Sequence, residues 1–415
     1  MKFVILGAGL AGVTSAWELL RDGHEVTVID RGAEVANFSS FANAGLVAPG
    51  HAFPWASPAA PGMMLRSLWR NDQAIRFRPK LDRRQWNWLM AFLGQCNSTR
   101  VRINSERKFR LCHYSQRQLQ KVVKETGVFY EQQTKGLIYF YSSRSSFDAA
   151  TKKAELLKSF GLEIKALSAD ALIELDSGLS DAKHQIAGGL YCPTDESGDS
   201  RLFTQELARL CQENGAAFLM NTIATKILST SDRITAIETL SGNVEADAFL
   251  VSLGVHSPGL LSPLGIHLPI YPVKGYSVTL PVDTTHEPPK LAGVDEENLQ
   301  AYCPMGKHFR ITATAEISGY DTSFKTSDFR TMLTNTKKLF PNAADYNKPN
   351  YWACLRPMTP TGLPFIDQTR FSNLWLNTGH GHMGWTMACG SAKIIADVIA
   401  GRPTDIPRDG MTLNK

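Results

Sequence analysis

Residues 1–30 read MKFVILGAGLAGVTSAWELLRDGHEVTVID, and the architecture of the chain can be predicted from them. FVILG (3–7) is a near-continuous run of β-branched and aromatic residues, which predicts a strand buried on both faces of a parallel sheet. Residues 10–22 have the pattern of a helix that ends at Gly23, and HEVTVID (24–30) predicts a second strand. The opening therefore predicts a strand–helix–strand unit.

The turn of this unit carries Gly7, Gly9 and Gly12 in the pattern GxGxxG. The first glycine permits the tight turn, the second lets a pyrophosphate approach the backbone, and the third lets the helix pack close to the strand. Asp30 follows Gly12 by eighteen residues, close to the roughly 20-residue offset of a carboxylate that binds ribose hydroxyls. The order of strand, glycine turn, helix, second strand and terminal carboxylate predicts dinucleotide binding. The GxGxxG pattern alone does not distinguish an NAD site from an FAD site.

Two later segments also predict a strand that is followed directly by a glycine turn. DAFLVSLG (247–254) does so, and NLWLNTGHGHMGW (373–385) precedes a helix predicted from about 385 to 400. YPVKGYSVTL (271–280) and HFRITATAEI (308–317) alternate as antiparallel strands do. We predict an α/β protein in which a Rossmann-like domain is interrupted by an α+β substrate domain on a mixed or antiparallel sheet. The predicted FAD-binding domain comprises 1–80, 185–268 and 350–415, and the substrate domain 81–184 and 269–349. Such discontinuity suits a long cofactor such as FAD.

The composition, 43% hydrophobic and 20% charged over 415 residues, is that of an ordinary globular protein. No apolar run approaches the roughly 20 residues of a membrane span, and no cleavage-site pattern follows the N-terminus, so we expect a cytoplasmic protein. The seven cysteines form no CxxC and no zinc spacing, which predicts reduced thiols and no metal site. The net charge is +5, but the sequence contains no recognised nucleic-acid-binding motif, so we do not expect nucleic-acid binding.

The segment 66–110 is strongly basic, with twelve Lys and Arg residues against three acidic ones. Trp69, Trp86 and Trp88 lie among them. One interpretation is peripheral docking on anionic lipid at the inner face of the cell membrane. The other is a solvated helical face whose tryptophans point into the core.

Six motifs together resemble the D-amino-acid dehydrogenase branch of the glycine oxidase/D-amino-acid oxidase flavoprotein family. They are GAGLAG, SSFANAG, DESGDS, YPVKGYSVT, WACLRPMTPTGLPFID and TGHGHMGWTMACGSAK. The resemblance extends from the first residues to about Gly401. One departure is Thr361, where the branch usually has Asp in its TPDG turn, and this leaves the substrate range within the branch open.

The resemblance implies non-covalently bound FAD and oxidation of a D-amino acid to a 2-oxo acid and ammonia. A hydride would pass from Cα to flavin N5, and the electrons would go on to a respiratory, quinone-type membrane acceptor. In relatives that act on sarcosine a cysteine near Cys354 bonds to the flavin; here we favour a buried thiol.

Such a reaction requires a clamp for the substrate carboxylate, and the resemblance places it at Arg356, whose guanidinium matches a carboxylate in bidentate fashion. Tyr302 is a second candidate, although it could instead pack on the sheet. Tyr276 and Lys274 could line the same pocket, and Arg310 could do so or be solvated. His380 is predicted to lie beside the flavin in the glycine-rich turn, or to be a loop histidine without a catalytic role.

The remaining predicted FAD contacts come from the first turn, from SSFANAG, from the middle strand end and from the last turn. They are Gly7, Ala8, Gly9, Leu10, Ala11, Gly12, Asp30, Arg31, Ser39, Ser40, Asn43, Ala44, Gly45, Ile223, Gly254, Gly379, Gly381, His382, Met383 and Gly384. Two alternatives stay open: an enzyme for another small amine acid, such as glycine, sarcosine or D-hydroxyproline, and a subunit that binds FAD only structurally. The oligomeric state is not predicted.

Overall fold

A computed structural model of the chain describes residues 1–69 and 75–413. The helices are α1 Leu10–Arg21, α2 Ala60–Arg66, α3 Arg83–Gln95, α4 Ser98–Thr126, α5 Arg144–Ser159, α6 Ala169–Leu175, α7 Ser200–Glu213, α8 Ser257–Leu261, α9 Arg330–Leu339 and α10 Gly384–Ile399. The strands are β1 Lys2–Leu6, β2 Glu25–Ile29, β3 Leu46–Val47, β4 Ile75–Phe77, β5 Leu137–Tyr141, β6 Lys165–Leu167, β7 Gly188–Cys192, β8 Glu196–Ser197, β9 Ala217–Leu219, β10 Ala224–Ser229, β11 Ile234–Thr239, β12 Gly242–Glu245, β13 Ala248–Val251, β14 Tyr271–Pro281, β15 Ala292–Asp295, β16 Gln300–Met305, β17 His308–Ile317, β18 Asn350–Met358, β19 Phe365–Gln368 and β20 Leu374–Thr378.

The first sheet has six strands in the order β19-β20-β13-β1-β2-β9. Strand β1 lies inside it, parallel to both β2 and β13, and its residues 3–6 are at most 2% exposed. This burial on both faces explains why the sequence of β1 is apolar throughout rather than alternating. The sheet joins the first, middle and last parts of the chain, so the predicted Rossmann-like unit is confirmed.

The second sheet has nine strands, eight of them in the order β18-β14-β17-β16-β15-β5-β7-β6, with β4 beside β17. Most pairs are antiparallel, but β15–β5 and β17–β4 are parallel, so the predicted mixed sheet is also confirmed. A three-stranded sheet, β10-β11-β12, and the pair β3–β8 complete the described strands.

The predicted domain limits stay a proposal, since the sheets do not follow them at every point. Strands β7 and β18, which those limits assign to the FAD-binding domain, pair in the nine-stranded sheet. Strand β4 also lies between α2 and α3, within the basic segment 66–110, and pairs with β17 of the nine-stranded sheet. At the end of the chain, α10 begins within one residue of the predicted start.

The long helix α4 and the first helix α1 both pack against α10. At the crossing of α4 and α10, the Gly390 N–H donates to Ser115 Oγ at 2.9 Å. A Cβ at Gly390 would lie 2.6 Å from Ser115 Cβ, so the crossing requires glycine. None of the helices in the described residues is both long enough and apolar enough to span a bilayer.

Candidate active site

A cavity of about 1080 Å³ lies between the two large sheets. Its walls come from the carboxyl ends of β1, β2, β13 and β20 and from the inner parts of β14, β17 and β18. In open α/β sheets, ligands bind at the carboxyl ends of parallel strands. The cavity therefore lies where the first sheet predicts a dinucleotide.

The glycine turn at one end of the cavity leaves room for a pyrophosphate. Gly7 has φ +111°, and a Cβ there would lie 2.6 Å from the carbonyl oxygen of Ser252. A Cβ at Gly12 would overlap the carbonyl of Gly7. Helix α1 begins after Gly9 with no side-chain cap at that residue. Because the Leu10 N–H donates to Ser40 Oγ, the N–H groups of Ala11 and Gly12 are those left in the first turn for an anion.

Asp30 ties the end of β2 to this turn. One carboxylate oxygen accepts from the Ala8 N–H at 2.7 Å and the other from the Gly32 N–H at 2.7 Å. The side chain lines the cavity, so its predicted bond to ribose hydroxyls stays a proposal that its position supports.

The loop 37–45 closes over the same end of the cavity. Ser40 Oγ accepts from the Leu10 N–H at 3.1 Å, and Asn43 Oδ1 accepts from the Gly45 N–H at 2.8 Å. The Arg31 guanidinium lies 4.4 Å from the ring centroid of Phe38. Ile223, 43% exposed, borders the cavity from the loop between β9 and β10.

Seventeen of the predicted cofactor contacts line the cavity. They are Gly7, Gly9, Leu10, Ala11, Asp30, Arg31, Ser39, Ser40, Asn43, Ala44, Gly45, Ile223, Gly254, Gly381, His382, Met383 and Gly384. Ala8, Gly12 and Gly379 do not border it. Gly12 packs on Gly7, and Gly379 has φ +86° at the turn before α10.

His380 holds the turn that precedes α10. Its Nε2 lies 2.8 Å from Ser391 Oγ, and the residue is buried but lines the cavity. Burial lowers the pKa of His380 to about 4. The imidazole is therefore neutral near pH 7, and it positions the turn rather than supplying charge.

Arg356 on β18 brings a guanidinium into the cavity. Its Nη1 donates to the Thr314 carbonyl at 2.9 Å, and its Cζ lies 5.7 Å from the Trp55 ring centroid. Burial lowers its pKa to about 10, so it remains charged. Among the described residues no carboxylate pairs with it within 4.0 Å, so this cation is available to an anionic ligand.

Two residues that the sequence reasoning missed shape this clamp. A Cβ at Gly275 on β14 would lie 2.5 Å from Cζ and Nη2 of Arg356. Thr314 has φ +61° at a register shift between β14 and β17, an unusual conformation for a β-branched residue. That bulge directs the Thr314 carbonyl at the guanidinium. A glycine inside a strand signals close approach of another group, so Gly275 could have been found from the sequence.

Tyr302 and Lys274 are not brought to the cavity, and neither is proposed as a substrate contact. Tyr302 is 2% exposed in the second core, with its ring 4.8 Å from that of Phe340. Its neighbour Ala301 lines the cavity instead, because successive strand residues face opposite sides of a sheet. Lys274 donates to the Ser323 carbonyl at 2.8 Å and pairs with Glu316 at 3.7 Å.

Tyr276 and Arg310 also make mainly structural contacts. Tyr276 lines the cavity, but its ring packs edge-on against Phe329 at 5.4 Å. Arg310 is buried and donates to Thr279 Oγ1 at 3.2 Å and to Asp199 at 3.4 Å.

A second group of polar side chains, absent from the sequence predictions, stands around the loop 51–55. His51 Nε2 lies 3.0 Å from Glu296 Oε1. Lys108 Nζ donates to the Phe53 carbonyl at 3.0 Å. His51, Glu296 and Lys153 line the cavity. His51, Lys108, Lys153 and Glu296 lie on four separate segments of the chain, so no local sequence motif predicts this group.

Cys354 also lines the cavity. Burial raises the pKa of its thiol to about 11, so the reactive thiolate is scarce near pH 7. Within residues 1–69 and 75–413, no cluster of three or more His, Cys, Asp and Glu side chains is arranged to hold a metal ion.

Comparison with known proteins agrees with this geometry. Residues 2–398 match the family model described as FAD dependent oxidoreductase. The chain is 44% identical over 412 residues to D-amino acid dehydrogenase 2 of Mesorhizobium japonicum, covering 99% of both chains. It is 42% identical to D-amino acid dehydrogenase of Granulibacter bethesdensis, covering 98% of this chain and 97% of that one.

Solved structures share the fold at lower identity. Glycine oxidase from Geobacillus kaustophilus superposes with a TM-score of 0.75 at 20% identity, covering 100% of this chain and 98% of that one. L-proline dehydrogenase from P. horikoshii superposes with a TM-score of 0.73 at 18% identity, covering 99% and 96%.

Proposed function

Because the chain belongs to the FAD dependent oxidoreductase family, we propose that it oxidises D-amino acids to 2-oxo acids and ammonia with FAD as its redox cofactor. Full-length relatives at 38–44% identity carry the name D-amino acid dehydrogenase. The single structural observation that carries the proposal is the Arg356 guanidinium, which reaches the cavity without a carboxylate partner in the described residues.

The residues present fit FAD. The turn from Gly7 to Gly12 and the start of α1 would hold the pyrophosphate, and Asp30 the adjoining ribose. The turn 379–384 and the start of α10 would lie at the ring, where backbone N–H groups favour negative charge. When bound, FAD supplies the acceptor for the two electrons that the substrate loses.

The chain itself binds and orients the substrate. Arg356 would hold the α-carboxylate in bidentate fashion, and the hydrogen bond that its Nη1 donates to the Thr314 carbonyl holds the guanidinium in place. Oxidation removes two electrons and two protons from the Cα–H and N–H bonds and leaves an imino acid. Water then hydrolyses the imino acid to the 2-oxo acid and ammonia.

We further propose that the electrons pass to a quinone-type membrane acceptor and that the protein docks on the membrane through an apolar ridge. This ridge consists of the exposed side chains Leu65, Leu68, Trp69, Leu81, Trp86, Met90 and Leu93. Trp86, Met90 and Leu93 share one face of α3. Phe77 N–H donates to Ser67 Oγ at 2.9 Å, which joins α2 and its following turn to this region.

Cationic side chains accompany the ridge. Lys80, Arg83 and Arg84 are exposed beside it, and this combination of apolar and basic groups suits an anionic lipid surface. The predicted basic segment is nevertheless not one surface, because Lys108 and Trp88 are buried. Arg70 and Asp72, which it also includes, lie outside the described residues.

An anaerobic spectroscopic experiment tests the proposed oxidation. FAD-loaded protein is mixed without oxygen with D-alanine, D-norvaline, D-glutamate, their L-enantiomers, glycine and sarcosine. We expect the D-amino acids to bleach the visible absorption band of the flavin and the L-enantiomers to leave it unchanged. Bleaching by L-enantiomers alone, or by glycine or sarcosine alone, would refute the proposal.

A further inference from the structure

We propose, on the basis of the proposed function, that the preferred substrates are acidic D-amino acids. Their side-chain carboxylate would bind at a wall formed by His51, Lys108 and Lys153, with Lys153 making the direct contact. His51 and Lys153 line the same cavity as the Arg356 clamp, and Lys108 lies behind Phe53.

Lys153 is the residue of the wall that would contact the substrate's side-chain carboxylate directly. Its side chain lines the cavity, and its Nζ lies 3.8 Å from the ring centroid of Phe53. Among the described residues it has no carboxylate within the 4.0 Å of an ion pair. An ammonium over an aromatic face keeps the opposite side of the nitrogen free for an anion.

Lys108 adds a second positive charge behind Phe53. The side chain is fully buried, donates to the Phe53 carbonyl at 3.0 Å and lies 3.3 Å from His382 Nε2. Burial lowers its pKa to about 8, which keeps it mostly protonated at neutral pH. No carboxylate in the described residues pairs with this ammonium.

Glu296 is the acidic side chain that faces these cations, and His51 engages it. The two lie 3.0 Å apart, and the His51 ring stacks on Tyr139 at 5.5 Å. Burial acts to raise the pKa of Glu296, but His51 and Lys153 lower it overall. Two lysines, Lys153 and Lys108, stand against the single carboxylate of Glu296, so one positive charge remains.

The wall and the clamp are connected through one loop. Phe53 contacts Lys108 and Lys153, and two residues later Trp55 stacks on His382 at 4.6 Å and faces Arg356 at 5.7 Å. An α-carboxylate on Arg356 would neutralise that cation alone. Lys153 is accessible from the cavity and has no ion-pair partner among the described residues, so a second carboxylate is the group that this end of the cavity would bind.

The cofactor does not supply that second anion. Its pyrophosphate is expected at the glycine turn from Gly7 to Gly12, and none of the contacts of Lys153 or Lys108 belongs to that turn. An acidic substrate would gain a charge-assisted hydrogen bond to Lys153 that its amide analogue lacks.

Steady-state kinetics on the FAD-loaded protein tests the inference with isosteric pairs. The specificity is the ratio of kcat/KM for D-glutamate to that for D-glutamine, and likewise for D-aspartate and D-asparagine. We expect at least one ratio above ten. Lys153→Met should lower that ratio at least fivefold, whereas Lys152→Met, an exposed neighbour outside the cavity, should not change it.

A binding measurement separates this inference from the proposed oxidation. Glutarate and butyrate are titrated into FAD-loaded protein while the flavin spectrum is recorded. Tighter binding of glutarate, weakened by Lys153→Met, supports the wall even if no D-amino acid is oxidised. Equal kcat/KM for acidic and amide substrates, or equal loss of both in Lys153→Met, overturns the inference and leaves D-amino acid oxidation intact.

Discussion

The guanidinium of Arg356 lies directly across the backbone of Gly275 on the neighbouring strand. Gly275 pairs with Cys354 in the antiparallel register, so Arg356 reaches it along the diagonal, two residues further on the same face. Any Cβ at position 275 would occupy the space of Cζ and Nη2. The glycine is therefore part of the clamp although it contributes no functional group.

Gly275→Ala should displace the guanidinium and raise KM for D-amino acids about tenfold or more, because forced overpacking costs ~1–3 kcal/mol. FAD content should not change, since the substitution lies away from the glycine turn. Gly259→Ala, where an added Cβ meets nothing within 4 Å, is the matched control. Unaltered KM in Gly275→Ala would mean that the clamp lies elsewhere.

Arg356→Leu should lower kcat/KM by about 100-fold or more, because removing one partner of a buried charge pair costs ~3–5 kcal/mol. Arg356→Lys should recover only part of the loss, since an ammonium lacks the planar fork. The measurement is anaerobic flavin reduction against substrate concentration. Arg209→Leu, at an exposed ion pair, provides the control, and wild-type kinetics in Arg356→Leu would exclude the carboxylate role.

The sequence predicted the parts of the site that depend on local backbone geometry. The glycines of the first turn and of the turn before α10 could be predicted from their pattern, and Gly7, Gly12, Gly379 and Gly381 need a missing Cβ or a positive φ. Tyr302, predicted as a substrate contact, does not border the cavity, because a strand residue and its neighbour face opposite sides of the sheet and the sequence alone does not say which side meets the cavity. The wall at His51, Lys108 and Lys153 was missed because only tertiary packing brings these residues together.

Asp195→Asn should reduce the dependence of stability on pH. Burial raises the pKa of Asp195 to about 7, although Tyr139 donates to it at 2.7 Å and Gly50 N–H at 3.1 Å. Because the folded pKa exceeds the ordinary value, the stabilisation is complete at acid pH and is lost as pH rises through about 7. The Tm of Asp195→Asn relative to wild type should therefore increase between pH 5 and pH 8.

The control for this comparison is Asp181→Asn, which removes an exposed carboxylate. Thermal unfolding followed by flavin fluorescence gives Tm for all three proteins across the pH range. A relative Tm of Asp195→Asn that stays constant or falls from pH 5 to pH 8 would contradict the raised pKa.

Acid precipitation should release the flavin into the supernatant, because the Cys354 thiol is kept protonated by burial, with a pKa of about 11. The absorbance of the supernatant gives the released fraction, and Cys354→Ala should release the same fraction as wild type. Colour that stays with the wild-type pellet but not with the Cys354→Ala pellet would identify a covalent bond at this thiol.

Substitutions in the apolar ridge should weaken binding to anionic vesicles without lowering activity toward a soluble dye acceptor. The double variant Trp86→Ser with Met90→Ser removes two side chains from the exposed face of α3. Each buried Trp or Met side chain contributes roughly 1.5–3 kcal/mol at such an interface, so sedimentation with phosphatidylserine-containing vesicles should fall at least tenfold. Salt should also weaken the binding of the wild-type protein to these vesicles, because each cation near the lipid surface contributes about 1 kcal/mol to binding.

The control is Phe129→Ser, which removes an exposed aromatic ring outside the ridge and so reports a general loss of apolar surface. Equal binding of the wild-type protein to anionic and zwitterionic vesicles, or equal loss in Phe129→Ser, would show that the ridge does not dock on anionic lipid.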